Sequence, residues 1–322
     1  MNIVNKSKQL IDIINNASSV FLMAHKDLDL DAINSCIGFD YYLRKINKKS
    51  YIIIDDKRFE PGVKKVLDNN KKSIKVLSSR KVLEKKSSDS ILIILDTNKE
   101  KLTQNPEIVK EFKKIINIDH HDKMEDTMKA DLSIIDQNVS STCEMITQFF
   151  KENKISITSN IATLLLGGII LDTNYYKSHV VSETFYNSYY LTERGGKVAD
   201  VNEMLKQDIK DYIKRQKIIS SVNVINNIAI GKGLQRSEYK KEEIAKTADI
   251  LLTFNKIKAS FVVARINKEM VGISGRSTGE INVGNILEHF GGGGSETEAA
   301  AKIEDINVNK TIEKLSEIIK NL

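Results

Sequence analysis

Four short apolar runs, SVFLMA (19–24), YIII (51–54), ILIIL (91–95) and IINI (115–118), punctuate the first part of the chain with amphipathic stretches between them. Runs this short, continuous and rich in Val and Ile suit strands buried on both faces, as parallel sheets require. DAINSCIGFDYYLRKI (31–46) and NPEIVKEFKK (105–114) read as intervening helices. The alternation of strand and helix predicts an α/β domain built on a parallel sheet.

Beyond it the rhythm changes. From Val181 to Ile219 the pattern is helical, first SETFYNSYYLTERGG and then VADVNEMLKQDIKDYIKRQKII. Gly195-Gly196 reads as a helix stop, and one amphipathic helix after it is expected to connect two domains. NVINNIAIGKG, KEEIAKTADILLTF, ASFVVARI (259–266), EMVGISGR (269–276) and the closing TIEKLSEIIKNL predict a smaller α+β domain. The expected division is 1–195, a linker helix over 196–222, and 223–322.

With 322 residues the chain can bury one large core or two ordinary ones. Its 41% hydrophobic and 29% charged residues are those of a soluble globular protein, and two prolines argue against Pro-rich disorder. The net charge of +6 is modest, and no aromatic–basic stripe is visible along the chain, so a long nucleic acid is not expected as partner. Cys36 and Cys143 lack CxxC spacing and read as reduced core thiols, which fits a cytoplasmic location and argues against structural zinc. The N-terminus is too polar for a signal peptide, and the most apolar stretch, IATLLLGGIIL (161–171), is too short to span a bilayer.

Ligands of open α/β sheets gather beyond the carboxyl ends of the strands. SVFLMA is followed by His25-Lys26-Asp27-Leu28-Asp29-Leu30-Asp31, ILIIL by Asp96-Thr97-Asn98, and IINI by Asp119-His120-His121. LLLGGIIL, read as a further strand, is followed by Asp172-Thr173-Asn174. A single strand-end Asp is ordinary. Gathered on one sheet edge, four or more carboxylates and two imidazoles would repel and be costly to desolvate unless a divalent metal joined them. Mixed carboxylate and imidazole ligands suit manganese or iron better than thiolate-rich zinc, and two metals about 3.5–4 Å apart are a common device for attacking phosphorus.

H-x-x-x-D-x-D at 25–31, D-T-N at 96–98, D-H-H at 119–121 and D-T at 172–173 resemble, in order, the four motifs of the DHH phosphoesterase superfamily. GISGRSTGEINVGNILEHFGGGGSETEAAA (272–301) resembles its companion, the DHH-associated substrate-binding domain. VFLMAHKDLDLDAINSCIGF, VSSTCEMI and ADILLTFNKIKASFVVA look most like the catalytic portion of GdpP-type cyclic di-AMP phosphodiesterases. Those proteins carry membrane and sensory segments upstream, so the chain is expected to be either a stand-alone relative or such a catalytic portion.

The resemblance implies one metal on His25, Asp29 and Asp96, and a second on Asp31, Asp96, His120 and Asp172, with Asp96 bridging. Manganese is the preferred ion. His121 would face the scissile phosphate, Asp119 would orient an imidazole, and Asp27 would face solvent. Arg276 and Ser277 would grip a phosphate, and Gly291, Gly292, Gly293 and Gly294 would let backbone N–H groups converge on it. Ser141 and Thr142 fit either pocket lining or a helix N-cap. The glycine run is normally followed by histidine in the family, and Ser295 stands there. Exchanging a charge-assisted bond for a neutral one would cost about 1–2 kcal/mol, roughly tenfold.

The implied activity is manganese-dependent opening of cyclic di-AMP to pApA by a hydroxide held between two metals, with further cleavage to AMP left open. An oligoribonuclease or pAp phosphatase acting on short linear oligonucleotides is the second reading. A nucleotide-binding protein whose turnover is impaired by Ser295 is the third. The family also makes homodimers common.

Overall fold

The computed structural model describes residues 2–56, 59, 61–206, 208–304 and 307–321. They form two compact units, residues 1–206 and 207–322. No helix among the described residues is long and apolar enough to cross a membrane.

The first unit holds strands β1 (Val20–Met23), β2 (Ser50–Ile53), β3 (Val76–Leu77), β4 (Ile91–Leu95), β5 (Ile115–Asp119) and β6 (Leu132–Ile135). Their order is β3-β2-β1-β4-β5-β6, and every pairing is parallel. All residues of β1, β2 and β4 are buried, which is why their sequences run apolar without alternation. Helices α1 (Ile3–Asn16), α2 (Leu30–Lys45), α3 (Pro61–Asn70), α4 (Ser79–Lys85), α5 (Pro106–Val109), α6 (Thr142–Glu152), α7 (Ser159–Asp172), α8 (Ser182–Glu193) and α9 (Val198–Met204) cover the sheet and one another. Phe39, Phe149 and Phe150 sit in the core on one face, and Phe21 and Met23 in the core on the other. The strand order reverses between β1 and β4, so the crevice beyond their carboxyl ends is where a ligand site belongs.

Three sequence expectations are corrected. LLLGGIIL belongs to helix α7, not to a strand. Thr158 caps that helix by accepting from Ile161 N, and residues 161–170 are buried on all sides, which erases the periodicity that would have marked it. The helix expected over 105–114 spans only Pro106–Val109, because the chain must enter β5 at Ile115. The single linker helix is two helices, α9 and α10 (Ile209–Ile219). Asp208 restarts the second by accepting from Lys210 N at 2.7 Å. Residue 207, between them, lies outside the described residues.

The second unit contains α10, then β7 (Asn223–Ile225), β8 (Ile228–Lys232), α11 (Lys241–Leu252), β9 (Ala259–Arg265), β10 (Val271–Ser277), α12 (Val283–Glu288), β11 (Gly293–Gly294), β12 (Glu298–Ile303) and α13 (Val308–Lys320). The sheet order is β11-β12-β10-β9-β8-β7, antiparallel except for β8 with β9. Phe261 and Val263 of β9 face the core shared with α12 and α13. Val262 and Ala264 alternate with them to face Ile218, Ala248 and Leu251 of α10 and α11.

Candidate metal centre

Three strand ends and one helix end bring the acidic and imidazole side chains together. Beyond β1, Gln104 fixes the loop: its Nε2 donates to the carbonyls of His25 (2.8 Å) and Lys26 (3.0 Å). Asp29 caps α2, accepting from Ala32 N at 2.9 Å with Oδ1, which leaves Oδ2 facing His25 Nε2 at 3.8 Å. Asp31, in the first turn of α2, is fully buried. Its Oδ2 accepts from Thr142 N (2.7 Å) and its Oδ1 from Cys143 N (2.9 Å). The otherwise unsatisfied N–H groups at the start of α6 thus seat a carboxylate of another helix.

Asp96 follows β4 at φ 61, a left-handed conformation uncommon outside glycine and tolerated best by Asp and Asn. The turn buries the carboxylate between two imidazoles: Oδ2 lies 3.4 Å from His25 Nε2 and Oδ1 lies 3.5 Å from His120 Nε2. Thr142 Oγ1 donates to Oδ1 at 3.0 Å. Asp172 ends α7, and its Oδ2 is 3.3 Å from His120 Nε2. Three sets of ligand-type atoms result: His25, Asp29 and Asp96; Asp31, His120 and Asp172; and Asp96, His120 and His121.

Burial opposes a charge on His25, but Asp29 and Asp96 overcome it and raise its pKa to about 11. Burial opposes His120 likewise, and Asp172 and Asp96 hold it well above the usual histidine range. Burial would push Asp96 up, but the two imidazoles hold it far below the usual carboxylate range. Asp31 is pushed well above that range by burial and by the neighbouring Asp96 and Asp172. Asp172 rises to about 6, chiefly from burial, with His120 opposing.

The donor set fits divalent cations. His120 Nε2 is buried without a hydrogen-bond partner although two carboxylates lie close, so these atoms point at a common centre more than at one another. Every candidate ligand is oxygen or imidazole nitrogen, the set that suits manganese or iron. A carboxyl group whose pKa is raised on folding binds more protons folded than unfolded, so it loses stability as pH rises. Asp172 places that loss between about 4 and about 6 in metal-free protein. Added manganese is therefore expected to raise Tm more at pH 7 than at pH 5. Equal increments in calorimetry would contradict that account.

Beside these ligands, Asp119 is wholly buried and its Oδ1 pairs with His121 Nδ1 at 2.8 Å. His121 is half exposed; burial works against its charge, and Asp119 raises its pKa nonetheless. Asp27 is exposed. Three further residues position the cluster, and of these only Gln104 carried no signal in the sequence. Asn98 donates to the carbonyls of His121 (3.2 Å) and Asp122 (3.0 Å), Gln104 anchors the β1 loop, and Thr142 joins Asp96 to α6. Ser141 is the N-cap of α6, while Thr142 reaches the cluster, so the two alternatives fall to different residues.

In the second unit, the Arg276 Nε on β10 donates to Asp249 Oδ1 at 2.7 Å and its Nη1 donates to Ser274 Oγ at 3.2 Å. Glu298 lies opposite on β12, 3.8 Å from Nη2. Ser277 Oγ accepts from Gly279 N at 3.0 Å and stabilises a turn. The glycine run is shaped by the hairpin it enters. Gly291 N and Gly292 N donate to Glu288 and Leu287 carbonyls at the end of α12, so these two amides are already engaged within the chain. Gly293 pairs with Ala300 across β11 and β12. Gly294, at φ 155, leaves no room for a Cβ, which would lie 2.2 Å from the Glu298 carbonyl. Ser295 Oγ accepts from Glu298 N at 3.0 Å and closes the 295–298 turn, a structural use the sequence did not disclose.

Residues 19–169 match the DHH family, N-terminal domain, and residues 217–321 match the DHHA1 domain. Cyclic-di-AMP phosphodiesterase GdpP of Bacillus subtilis (strain 168) is 33% identical over 97% of this chain and 49% of its own length. GdpP of Geobacillus thermodenitrificans is 31% identical with the same coverages. The chain therefore spans about half the length of these relatives. The bifunctional oligoribonuclease and PAP phosphatase NrnA of Thermus thermophilus is 24% identical over 94% of this chain and 89% of its own. An exopolyphosphatase-related protein from Bacteroides fragilis superposes with a TM-score of 0.82 at 20% identity, covering 98% of this chain and 97% of its own, so the two share a fold.

Proposed function

Because this chain belongs to the DHH family and carries a DHHA1 domain, we propose that it is a manganese-dependent phosphodiesterase that opens cyclic di-AMP to pApA. The observation that carries this reading is Asp96, whose two oxygens face different histidines inside one buried cluster. His25, Asp29 and Asp96 would hold one divalent ion. Asp31, Asp96, His120 and Asp172 would hold a second. Bound there, the ions would activate water and neutralise charge on the phosphate oxygens.

The remaining groups do the positioning and the proton work. Asp119 takes His121 by Nδ1, which leaves Nε2 as the free end of the ring. With its pKa raised by Asp119, that imidazole can carry a proton to the departing 3′ oxygen. His121→Ala is expected to lower turnover on the order of 10²-fold or more with metal content unchanged. Loss of metal in that variant would make His121 a ligand instead.

Arg276 would hold a phosphate through its fork of N–H groups. Arg276→Ala is expected to raise KM at least roughly tenfold with a smaller change in kcat, since a lost charged bond is worth about 1.5–3 kcal/mol. An unchanged KM would remove Arg276 from the phosphate site.

The direct test is product chromatography after incubation with manganese and either cyclic di-AMP or pApA. Conversion of the cyclic compound to pApA supports the assignment. The 24% identical NrnA supports a second reading, a hydrolase of short linear oligonucleotides, in which pApA alone would be cleaved. Inactivity on both, with nucleotide still bound, would favour a binding protein limited by Ser295.

A further inference from the structure

Away from the metal cluster, α6 and α8 line an open groove of about 1090 Å³. Tyr186, Tyr189 and Tyr190 of α8 line it, and Tyr186 and Tyr189 are each more than half exposed. Lys151 Nζ sits 3.9 Å from the Tyr186 ring centroid, and Arg194 Cζ sits 3.5 Å from that of Tyr190. The sequence showed no aromatic–basic stripe because the tyrosines come from α8 while Lys151 comes from the end of α6 and Lys154 from the turn after it.

A second observation points to a ligand. Gln148 of α6 also lines the groove, is only 6% exposed, and its Oε1 is buried without a hydrogen-bond partner. A carboxamide left this way keeps the full desolvation cost of its dipole. A planar ligand edge offering one donor and one acceptor would relieve it once the side chain turns its amide toward the groove. The charges of the lining balance, three cations against three carboxylates, so the phosphate contacts are local ones. Glu183 is neutralised by Lys151 at 3.0 Å, which leaves Lys154 and Arg194 as the cations of the lining against Glu152 and Glu193.

We propose that this groove is a second nucleotide site, separate from the metal centre, that takes an adenine nucleotide. The base stacks on Tyr189, the Gln148 amide pairs with the N6 amino group and N7 of adenine, and Lys154 and Arg194 receive the phosphate. Guanine presents two acceptors at the same edge and can satisfy only the amide N–H. The site therefore discriminates by base, as an aromatic surface alone would not.

The test is equilibrium dialysis of the full chain with AMP in EDTA, repeated with GMP. About one AMP per chain is expected, with GMP at least roughly tenfold weaker. Tyr189→Ala and Gln148→Leu should each weaken AMP at least roughly tenfold while manganese-dependent turnover is retained. Gln148→Leu should melt no lower than wild type, because it removes an unsatisfied carbonyl oxygen and keeps the volume, so lost binding cannot be ascribed to unfolding. Absence of AMP binding in EDTA, equal retention of AMP and GMP, or binding unaffected by either substitution would overturn the proposal. So would sedimentation showing that Tyr189→Ala splits a dimer while AMP does not bind, since the groove would then be an interface between copies.

Discussion

Asp96→Asn is expected to reduce turnover on the order of 10³-fold or more, with manganese lost from the protein and the fold intact. The size follows from geometry. Among the described residues Asp96 alone pairs with both His25 and His120, so removing its charge withdraws a ligand from both candidate ion positions. Metal assistance is worth several kcal/mol in a phosphoryl transition state, and about 1.4 kcal/mol is tenfold in rate. Asparagine is the cleaner replacement because, like aspartate, it tolerates the left-handed φ of 61, whereas alanine adds backbone strain. Asn can also keep the hydrogen bond from Thr142 Oγ1. Metal content by mass spectrometry and product chromatography would be read on one preparation. A variant retaining a tenth of the activity would remove Asp96 from the bridging role proposed for it.

Much of this centre was legible in the sequence for a simple reason. A fully buried parallel strand is apolar throughout, so the first polar residue marks its carboxyl end, and in this fold class that end faces the ligand. His25 and Asp96 announced themselves in that way, and Asp119 did so despite the polar Asn117 inside its strand. Asp172 was found for a partly wrong reason: its run lies in a buried helix, and the eleven-residue stretch 161–171 already exceeds the usual strand length. What stayed hidden depends on three-dimensional contact between distant segments. No local pattern says that the start of α6 seats Asp31, that Asn98 holds the His121 loop, or that Ser295 is consumed by its own turn.

Gly168→Ala carries the second large expected effect, and it tests the framework that holds the ligands. A Cβ at Gly168 would lie 2.4 Å from Cys143 Sγ and 2.5 Å from Asp31 Oδ1. Helix α7 can approach α6 and α2 that closely only at a residue without a side chain. Alanine gains about 1 kcal/mol in helix propensity over glycine, but overpacking a rigid core costs about 1–3 kcal/mol and here also displaces a clamped carboxylate. The clash should win. The expected result is a Tm lower by roughly 2–10 °C in a unit of this size, with manganese affinity and turnover lost together as Asp31 leaves the Thr142 and Cys143 amides. Cys143→Ala added to Gly168→Ala separates the two effects, because it removes the sulfur and leaves the Asp31 contact together with the milder one to the residue 143 Cβ at 2.8 Å. Stability should recover in part while turnover stays low. Full recovery of turnover would show that the sulfur, and not the seating of Asp31, is what the glycine accommodates.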